Sequence, residues 1–185
     1  MPTCRRRPVI GSPSAPRAAS VAIRRPISAA LPRRARRVAE THSVAEIVAM
    51  IQARHPPAWD LLNGRLIGYD ETLRRATMEW LAETRHCHSV PGHPRGGIVQ
   101  GGIVTGWLDA AMATACHFLS DPGTSVASLE IKVAFLLAAH PGTYRSYGKV
   151  VRIGRTIAFL EAELRDADDR LIATASSTAA VRAAK

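Results

Sequence analysis

A single carboxylate interrupts an otherwise apolar stretch in the middle of the chain. Residues 100–118 contain one acidic residue, Asp109. A helix that is apolar on nearly every side is normally buried, and burying an unpaired carboxylate costs several kcal/mol. We therefore expect Asp109 to have either a polar partner, such as a buried arginine, or a chemical role.

The same predicted helix begins with two glycines, Gly101 and Gly102. The first backbone N–H groups of a helix have no intrahelical acceptor, and they can bind an anion. One segment therefore offers both an acid/base group and an oxyanion site. A simple turn before a helix is the alternative interpretation of the glycine pair.

The elements that must position this segment are predicted in the order helix, two strands, long apolar helix and four strands. Ser43 to Arg54 is predicted as a helix with a capping box to Glu46, and residues 58–64 as a short helical turn closed by Gly64. The predicted strands cover residues 65–71, 73–83, 125–138, 142–153, 155–165 and 170–181, with the apolar helix over 101–119 and a loop over 85–97. Short connections join antiparallel neighbours, so the predicted class is α+β, with an antiparallel sheet of five to six strands wrapped around one long central helix.

Charge divides the 185-residue chain into an arm and a domain. Residues 1–39 contain ten arginines and no acidic residue, whereas the rest contains fifteen basic and fifteen acidic residues. We predict a disordered basic arm over 1–42 and a domain over 43–185, with its core at about 58–181. The domain is therefore not expected to bind nucleic acid.

Three interpretations of the arm stay open. The first is a disordered tail, which would also result from a start codon assigned too far upstream. The second is a transit peptide. The third is a tether to nucleic acid or another anionic surface. No run of 18 apolar residues exists, so no membrane span is predicted. Cys4, Cys87 and Cys116 do not suggest a disulfide framework, which favours a cytoplasmic protein with reduced thiols.

The motif around Asp109 resembles the signature of a known family. Gln100-Gly101-Gly102 followed by Leu108-Asp109 is similar to the "(H/Q)-G-G…L-x-D" signature of hotdog-fold thioesterases of the phenylacetate-pathway (PaaI-like) type. Further similarities follow in the same order as in that family. They are residues 128–135, Pro141-Gly142, residues 151–155 and residues 162–164, and the resemblance covers about residues 58–181.

The resemblance implies a hotdog fold, self-association as a homodimer or homotetramer, and hydrolysis of acyl-CoA thioesters without a metal or other cofactor. It also implies roles for individual residues. Gly102, with Gly101 beside it, would donate a backbone N–H to the thioester carbonyl. Asp109 would be the base or nucleophile, and Ser128 falls where some members place a hydroxyl that positions water. An ordinary strand serine is the alternative for Ser128.

Two positions depart from the family pattern. Gln100 stands where histidine is frequent; glutamine can donate a hydrogen bond to a carbonyl oxygen but cannot carry a proton. Pro94 stands where many members have asparagine, in a loop that looks lengthened. His88 or His93 would take that polar role. His86, Cys87, His88 and His93 also raise the possibility of zinc, but they lack a second ligand pair, so no metal is predicted.

Helix geometry separates the two halves of the predicted site, and the family resemblance implies that they meet across two subunits. Asp109 follows Gly102 by seven residues, about 10 Å along one helix, so both cannot readily flank one carbonyl. In the family two such helices pack antiparallel, and glycines of one subunit would meet Asp109 and Ser128 of the other. Thr105 and Met112 lie near this face, where they would line a narrow acyl channel or simply pack.

Arg152 and Arg155 are candidates to bind CoA phosphates, with a solvated strand end as the alternative. Two other functions compete with hydrolysis of aryl- or medium-chain acyl-CoA. One is a non-catalytic acyl-CoA-binding hotdog module, although the arm does not resemble a helix-turn-helix. The other is a hotdog dehydratase, whose expected Asp/His pair is not evident in the sequence.

Overall fold

The computed structural model describes residues 43–121 and 123–182, so the predicted basic arm over 1–42 lies outside the described residues. Within these residues, three α-helices and eight strands follow one another along the chain. They are α1 (Val44–Ala53), α2 (Ala58–Leu61), β1 (Gly64–Asp70), β2 (Arg75–Ala82), β3 (Cys87–His88), β4 (Ile98–Val99), α3 (Gly101–Phe118), β5 (Ser125–Phe135), β6 (Gly142–Ile153), β7 (Ile157–Asp166) and β8 (Leu171–Arg182). No helix in these ranges is both long and apolar enough to cross a membrane.

Six strands form one antiparallel sheet in the order β1-β2-β6-β7-β8-β5, and β3 pairs with β4 in a small second sheet. The long helix α3 packs against β2, β5, β6, β7 and β8. The predicted α+β class, with one central helix against an antiparallel sheet, is confirmed. Among the described strands, β1 and β5 lie at the two edges of the sheet, and each pairs with one neighbouring strand.

Alternation along the strands determines which sheet face contacts α3. On β2, Ala76, Met78, Trp80 and Ala82 are buried, as their period of two predicts. Every second residue of β6 and β7 is buried in the same way through most of each strand. The sheet therefore presents a continuous apolar face to the helix.

The helix and the sheet touch backbone to backbone at one point. A Cβ atom added to Gly148 on β6 would lie 2.1 Å from the carbonyl carbon and oxygen of Ala111 on α3. No side chain fits there, because real Cβ atoms do not approach other heavy atoms so closely. The absence of a side chain at Gly148 therefore sets the distance between α3 and the sheet.

Two tryptophans and a serine fix α3 in this position through hydrogen bonds. Trp107 and Trp80 are fully buried, with ring centroids 5.9 Å apart. Trp80 Nε1 donates to Ser146 Oγ at 2.7 Å, Ser146 Oγ donates to the Trp107 carbonyl at 3.1 Å, and Trp107 Nε1 donates to the Leu62 carbonyl at 2.9 Å. These buried polar groups are paired, so the core avoids the cost of unsatisfied donors.

Local turn chemistry changes several predicted boundaries. The prediction that Gly64 closes the short helix is wrong: α2 ends at Leu61, Asn63 takes the left-handed conformation (φ 55°), and Gly64 begins β1. Asparagine adopts this conformation more easily than most residues. The strand predicted from Leu73 begins at Arg75, because the Leu73 N–H bonds to Asp70 Oδ1 in a turn.

Two further predicted boundaries differ from those in the structure. The loop predicted over 85–97 contains the short strand β3 and part of a 3₁₀ turn over Thr84–His86. The strand predicted to 138 ends at Phe135, since the N–H groups of Leu136 and Leu137 both bond to the Ile172 carbonyl. The predicted helix from Ser43 is confirmed, with the Ser43–Glu46 capping box present.

The contact at Gly148 predicts a large stability difference between two glycine substitutions. Gly148→Ala should lower the free energy of unfolding by about 3 kcal/mol or more, because α3 must move away from β6. Gly68→Ala is the matched control, since an added Cβ at Gly68 on β1 meets no atom within 4 Å. Chemical denaturation of both variants measures the difference. Equal stability of the two would contradict the close approach.

Candidate active site

The N-terminus of α3 is capped by Gln100. Its backbone is extended (φ −63°, ψ 133°), and its side-chain Oε1 accepts a hydrogen bond from the Gly102 N–H. The Gln100 N–H in turn donates to the His86 carbonyl at 2.9 Å. Glutamine at this position is expected to donate a hydrogen bond, whereas the Gln100 side-chain oxygen accepts one. A substrate oxygen that reached the Gly102 N–H would replace Gln100 Oε1.

An open cavity with both polar and apolar surface adjoins this helix terminus. A Cβ added to Gly101 would lie 3.2 Å from Phe135 Cζ, so the ring of Phe135 covers the first residue of α3. The cavity has a volume of about 310 Å³, which falls in the range of small-molecule sites. Its lining includes His88, Ile98, Val104, Phe135, Leu137 and Ile172.

Asp109 lies partly exposed on α3 and has a hydroxyl partner. The Ser128 Oγ on β5 donates to Asp109 Oδ1 at 2.6 Å, a charge-assisted hydrogen bond of short length. Among the described residues, no arginine or lysine forms an ion pair with Asp109. The structure thus brings together Asp109 and Ser128, and the buried-arginine alternative does not describe the contact.

A β-bulge aims Ser128 at the helix. Ser177 and Ala179 are neighbours on the face of β8 that is directed to α3, two positions apart in sequence. Ser177 pairs with Ile131 on β5, and Ala179 pairs with Ser128. The two β5 partners are three residues apart, so Leu129 is an extra residue and its side chain is 62% exposed. In a regular strand Leu129 would take the inward place and Ser128 would point away. Sequence reasoning missed this bulge.

One face of α3 is left partly open, in contrast to the expectation of a helix buried all round. Gly102 and His117 are exposed, and Asp109 and Ala113 are partly exposed. Gly106 on the same side is covered by Leu62, whose methyl carbons would lie 3.2 Å from an added Cβ. The open face therefore consists mainly of small residues together with the carboxylate.

The structure does not bring the glycine pair and Asp109 together within one chain. Gly102 occupies the first turn of α3 and Asp109 comes seven residues later in the same uninterrupted helix. That spacing corresponds to about 10 Å along the helix axis. A single carbonyl group cannot contact both groups of one subunit.

The predicted substrate-binding residues fall in different environments. Thr105 is partly buried and its Oγ1 donates to the Gly101 carbonyl at 2.8 Å. Met112 is fully buried in the core, so the packing alternative describes it. His88 lies on β3 with its Nδ1 2.9 Å from Ser89 Oγ, and it lines the cavity. Arg152 and Arg155 are exposed at the connection between β6 and β7.

His86 and His93, which lie between β2 and β4, make separate contacts. His86 Nδ1 accepts from the Glu83 N–H at 3.0 Å, and His93 Nδ1 accepts from the Arg95 N–H at 3.1 Å. The described residues contain no group of three or more potential metal ligands. On α3, burial raises the pKa of the Cys116 thiol, which disfavours the thiolate that a nucleophilic cysteine needs.

Comparison with known proteins shows which proteins this domain resembles. Residues 96–173 match the family model described as Thioesterase superfamily. A protein described as an esterase from Saccharolobus solfataricus is 36% identical over 81 residues, which make up 44% of this chain and 57% of that protein. The match thus spans little more than half of that relative's length.

Solved structures agree with the family match. A thioesterase-type protein of Ralstonia eutropha, described as related to phenylacetic acid degradation, has a TM-score of 0.63 and 27% identity, over 71% of this chain and 96% of that chain. A thioesterase family protein of Silicibacter pomeroyi has a TM-score of 0.63 and 25% identity, over 77% of this chain and 100% of that chain. The predicted hotdog fold and resemblance to phenylacetate-type thioesterases are confirmed.

The cap at the helix terminus predicts a measurable loss of stability. Gln100→Ala should lower the free energy of unfolding by about 1 kcal/mol, because the Gly102 N–H loses its acceptor. Gln100→Glu should keep the stability, since a carboxylate can accept the same bond and is favoured at a helix N-terminus. Urea denaturation near neutral pH compares the variants. A Gln100→Ala protein as stable as the parent would contradict the cap.

Proposed function

We propose that this thioesterase-superfamily domain is an acyl-CoA thioesterase, which hydrolyses aryl- or medium-chain acyl-CoA to the free acid and CoA. The observation that carries the proposal is the hydrogen bond of 2.6 Å between Ser128 Oγ and Asp109 Oδ1 on the open face of α3. The first turn of the same helix presents backbone N–H groups at Gly101 and Gly102. These are the groups that acyl transfer to water requires.

The chemistry follows from the properties of these groups. The Gly102 N–H, released from Gln100, donates to the thioester oxygen and stabilises the negative charge that develops there. Asp109 removes a proton from water, the oxygen of that water attacks the carbonyl carbon, and the C–S bond breaks. The CoA sulfur leaves as a thiolate and takes up a proton. Direct attack by the Asp109 carboxylate, followed by hydrolysis of the anhydride, is the alternative course.

Ser128 supports the role of Asp109 as a base. Its hydroxyl donates to Oδ1, so Oδ2 is available to accept a proton from water. The same hydroxyl oxygen has lone pairs that can accept a hydrogen bond from that water. Ser128 thus orients both the carboxylate and the nucleophile, in keeping with general base catalysis.

We further propose that the active unit is a dimer, in which the glycines of one subunit face Asp109 and Ser128 of the other. Two observations support self-association. The helix α3 has an open face of small residues, and β5 is an eleven-residue edge strand with Leu129 and Phe135 exposed. A long apolar edge strand is usually covered or paired in a stable protein. Two antiparallel copies of α3 would bridge the 10 Å spacing.

Charge and cavity size support the substrate class. Arg152 and Arg155 are exposed and form no ion pair among the described residues, so their guanidinium groups are available for the phosphates of CoA. The cavity of about 310 Å³ beside Gly101 has apolar side chains in its lining, among them Val104, Phe135 and Ile172, which can contact an acyl or aryl group. The oxyanion donors and this cavity lie at the same end of α3.

The role of Asp109 predicts a loss of turnover. Asp109→Asn should lower kcat at least about a hundredfold, because the amide cannot accept the proton of water, while its similar shape preserves the fold. Release of CoA is measured over a series of aryl- and straight-chain acyl-CoA substrates. Asp168→Asn, an exposed aspartate in the turn before β8, is the matched control and should retain full activity.

Two outcomes of this assay would contradict the proposal. If Asp109→Asn retains its activity, Asp109 is neither base nor nucleophile. If the parent protein binds acyl-CoA but releases no CoA, the domain is the non-catalytic binding module.

The shared site predicts complementation between two inactive variants. Gly102→Pro removes the oxyanion N–H, and proline is tolerated in the first turn of a helix; Asp109→Asn removes the base. A heterodimer of the two variants contains one site with both defects and one site with neither. Each homodimer should be nearly inactive, and the purified heterodimer should recover about half of the parent activity. A site confined to one subunit would leave the heterodimer inactive.

A further inference from the structure

A buried hydroxyl on β8 lies against the bulge that aims Ser128. Ser177 is 6% exposed, and its Oγ donates to the carbonyl of Glu130 at 2.7 Å. Glu130 follows the extra residue Leu129 directly, and the Glu130 side chain itself is exposed. The Ser177 hydroxyl thus binds the backbone of β5 at the point where the pairing register changes.

Ser177 is unusual among the residues around it. The β8 residues that face α3 are otherwise apolar, namely Ala173, Ala175, Ala179 and Val181. An alanine at this position would continue the pattern and fill nearly the same volume. A hydroxyl in an apolar row must find a partner, because an unpaired buried hydroxyl is costly. The partner here is the backbone of the bulge.

The hydrogen bond favours one register of β5 over another. A bulge disrupts the ladder locally, and a side-chain donor beside it stabilises a carbonyl of the disturbed segment. In the regular register, Leu129 would pair with Ala179 and face α3, while Ser128 would face away from Asp109. Leucine is more apolar than serine, so hydrophobic burial on its own favours that regular register. A specific contact is therefore needed to hold the bulge.

We propose that Ser177 is a positioning residue, whose hydroxyl holds the bulge of β5 in the register that directs Ser128 to Asp109. The inference rests on the proposed function, since it gives Ser177 a part in hydrolysis through Ser128. Ser177 lies on β8, the strand next to β5, and in this proposal it acts without touching the substrate. Its effect should therefore appear in turnover and depend on the Ser128 hydroxyl.

The kinetic experiment compares three substitutions in the full chain. Ser177→Ala should lower kcat for acyl-CoA hydrolysis about tenfold or more, with little change in KM, because Asp109 and water lose their alignment. Ser177→Thr keeps a hydroxyl and should restore kcat to within about threefold of the parent. Ser176→Ala is the matched control, because Ser176 is the exposed neighbour on the opposite sheet face, and should leave kcat unchanged. Parent kcat in Ser177→Ala overturns the proposal.

A double variant separates positioning from a general structural effect. If Ser177 acts through Ser128, then adding Ser177→Ala to a Ser128→Ala protein should change kcat by less than about twofold. An equal loss in both backgrounds would mean that Ser177 acts independently of Ser128, and would contradict the proposal. Thermal unfolding of the same proteins identifies any loss of kcat that only follows reduced stability.

A structural measurement tests the inference independently of activity. In a crystal structure of the Ser177→Ala variant, Ser128 Oγ should lie beyond hydrogen-bond distance of Asp109, while the Ser176→Ala structure should keep the contact. An unchanged contact in Ser177→Ala would refute the positioning role, even if the domain proved to hydrolyse acyl-CoA. Conversely, a parent protein that releases no CoA would refute the proposed function, and the two crystal structures would still decide the role of Ser177.

Discussion

The arrangement of this domain depends on the close packing of α3 against β6. The backbone of the helix at Ala111 meets the strand at Gly148 with no room for a side chain between them. Trp107 anchors the same part of the helix, since its indole nitrogen bonds to Leu62 and its carbonyl accepts from Ser146. A helix held this tightly has little freedom to rotate or slide, because protein interiors are densely packed.

The fixed rotation of α3 determines where its chemistry lies. With Ala111 and Trp107 directed to the sheet, Asp109 emerges beside β5, where it meets Ser128. The same rotation leaves Gly102 and Ala113 on the open side. The two halves of the helix therefore differ in their surroundings. One half faces the core, and the other half is best explained by the proposed contact with a second copy of the chain.

Sequence patterns predicted the elements well where a regular period operated over several residues. The alternation of β2 and the capping box at Ser43 are examples, because both depend on neighbours in sequence. Predicted boundaries were wrong where a single residue adopts a backbone conformation outside the helical and extended regions. Asn63 rather than Gly64 turns left-handed after α2, and Arg74 (φ 51°) delays the start of β2. Such single-residue conformations depend on contacts within the turn. The hydrophobic periodicity of the sequence does not reveal these contacts.

The candidate site also contains residues that the sequence marked and residues that it did not. Asp109 was conspicuous from the sequence, because a lone carboxylate among apolar residues requires a reason, and Gly101-Gly102 marked the helix terminus. The position of Ser128 followed only from the family resemblance, since alternation from Ile131 predicts that Leu129 faces α3.

The sequence by itself determined the order of the elements, the apolar helix and the carboxylate within it, because these are properties of residues close together in the chain. Only the tertiary structure decided that Ser128 faces Asp109 and that Gln100 caps Gly102. The first depends on pairing between β5 and β8, which meet about 50 residues apart at Ser128 and Ala179. The second depends on the conformation of the Gln100 side chain, whose oxygen turns toward the Gly102 N–H. Register and side-chain direction arise from contacts that form only when distant parts of the chain pack together.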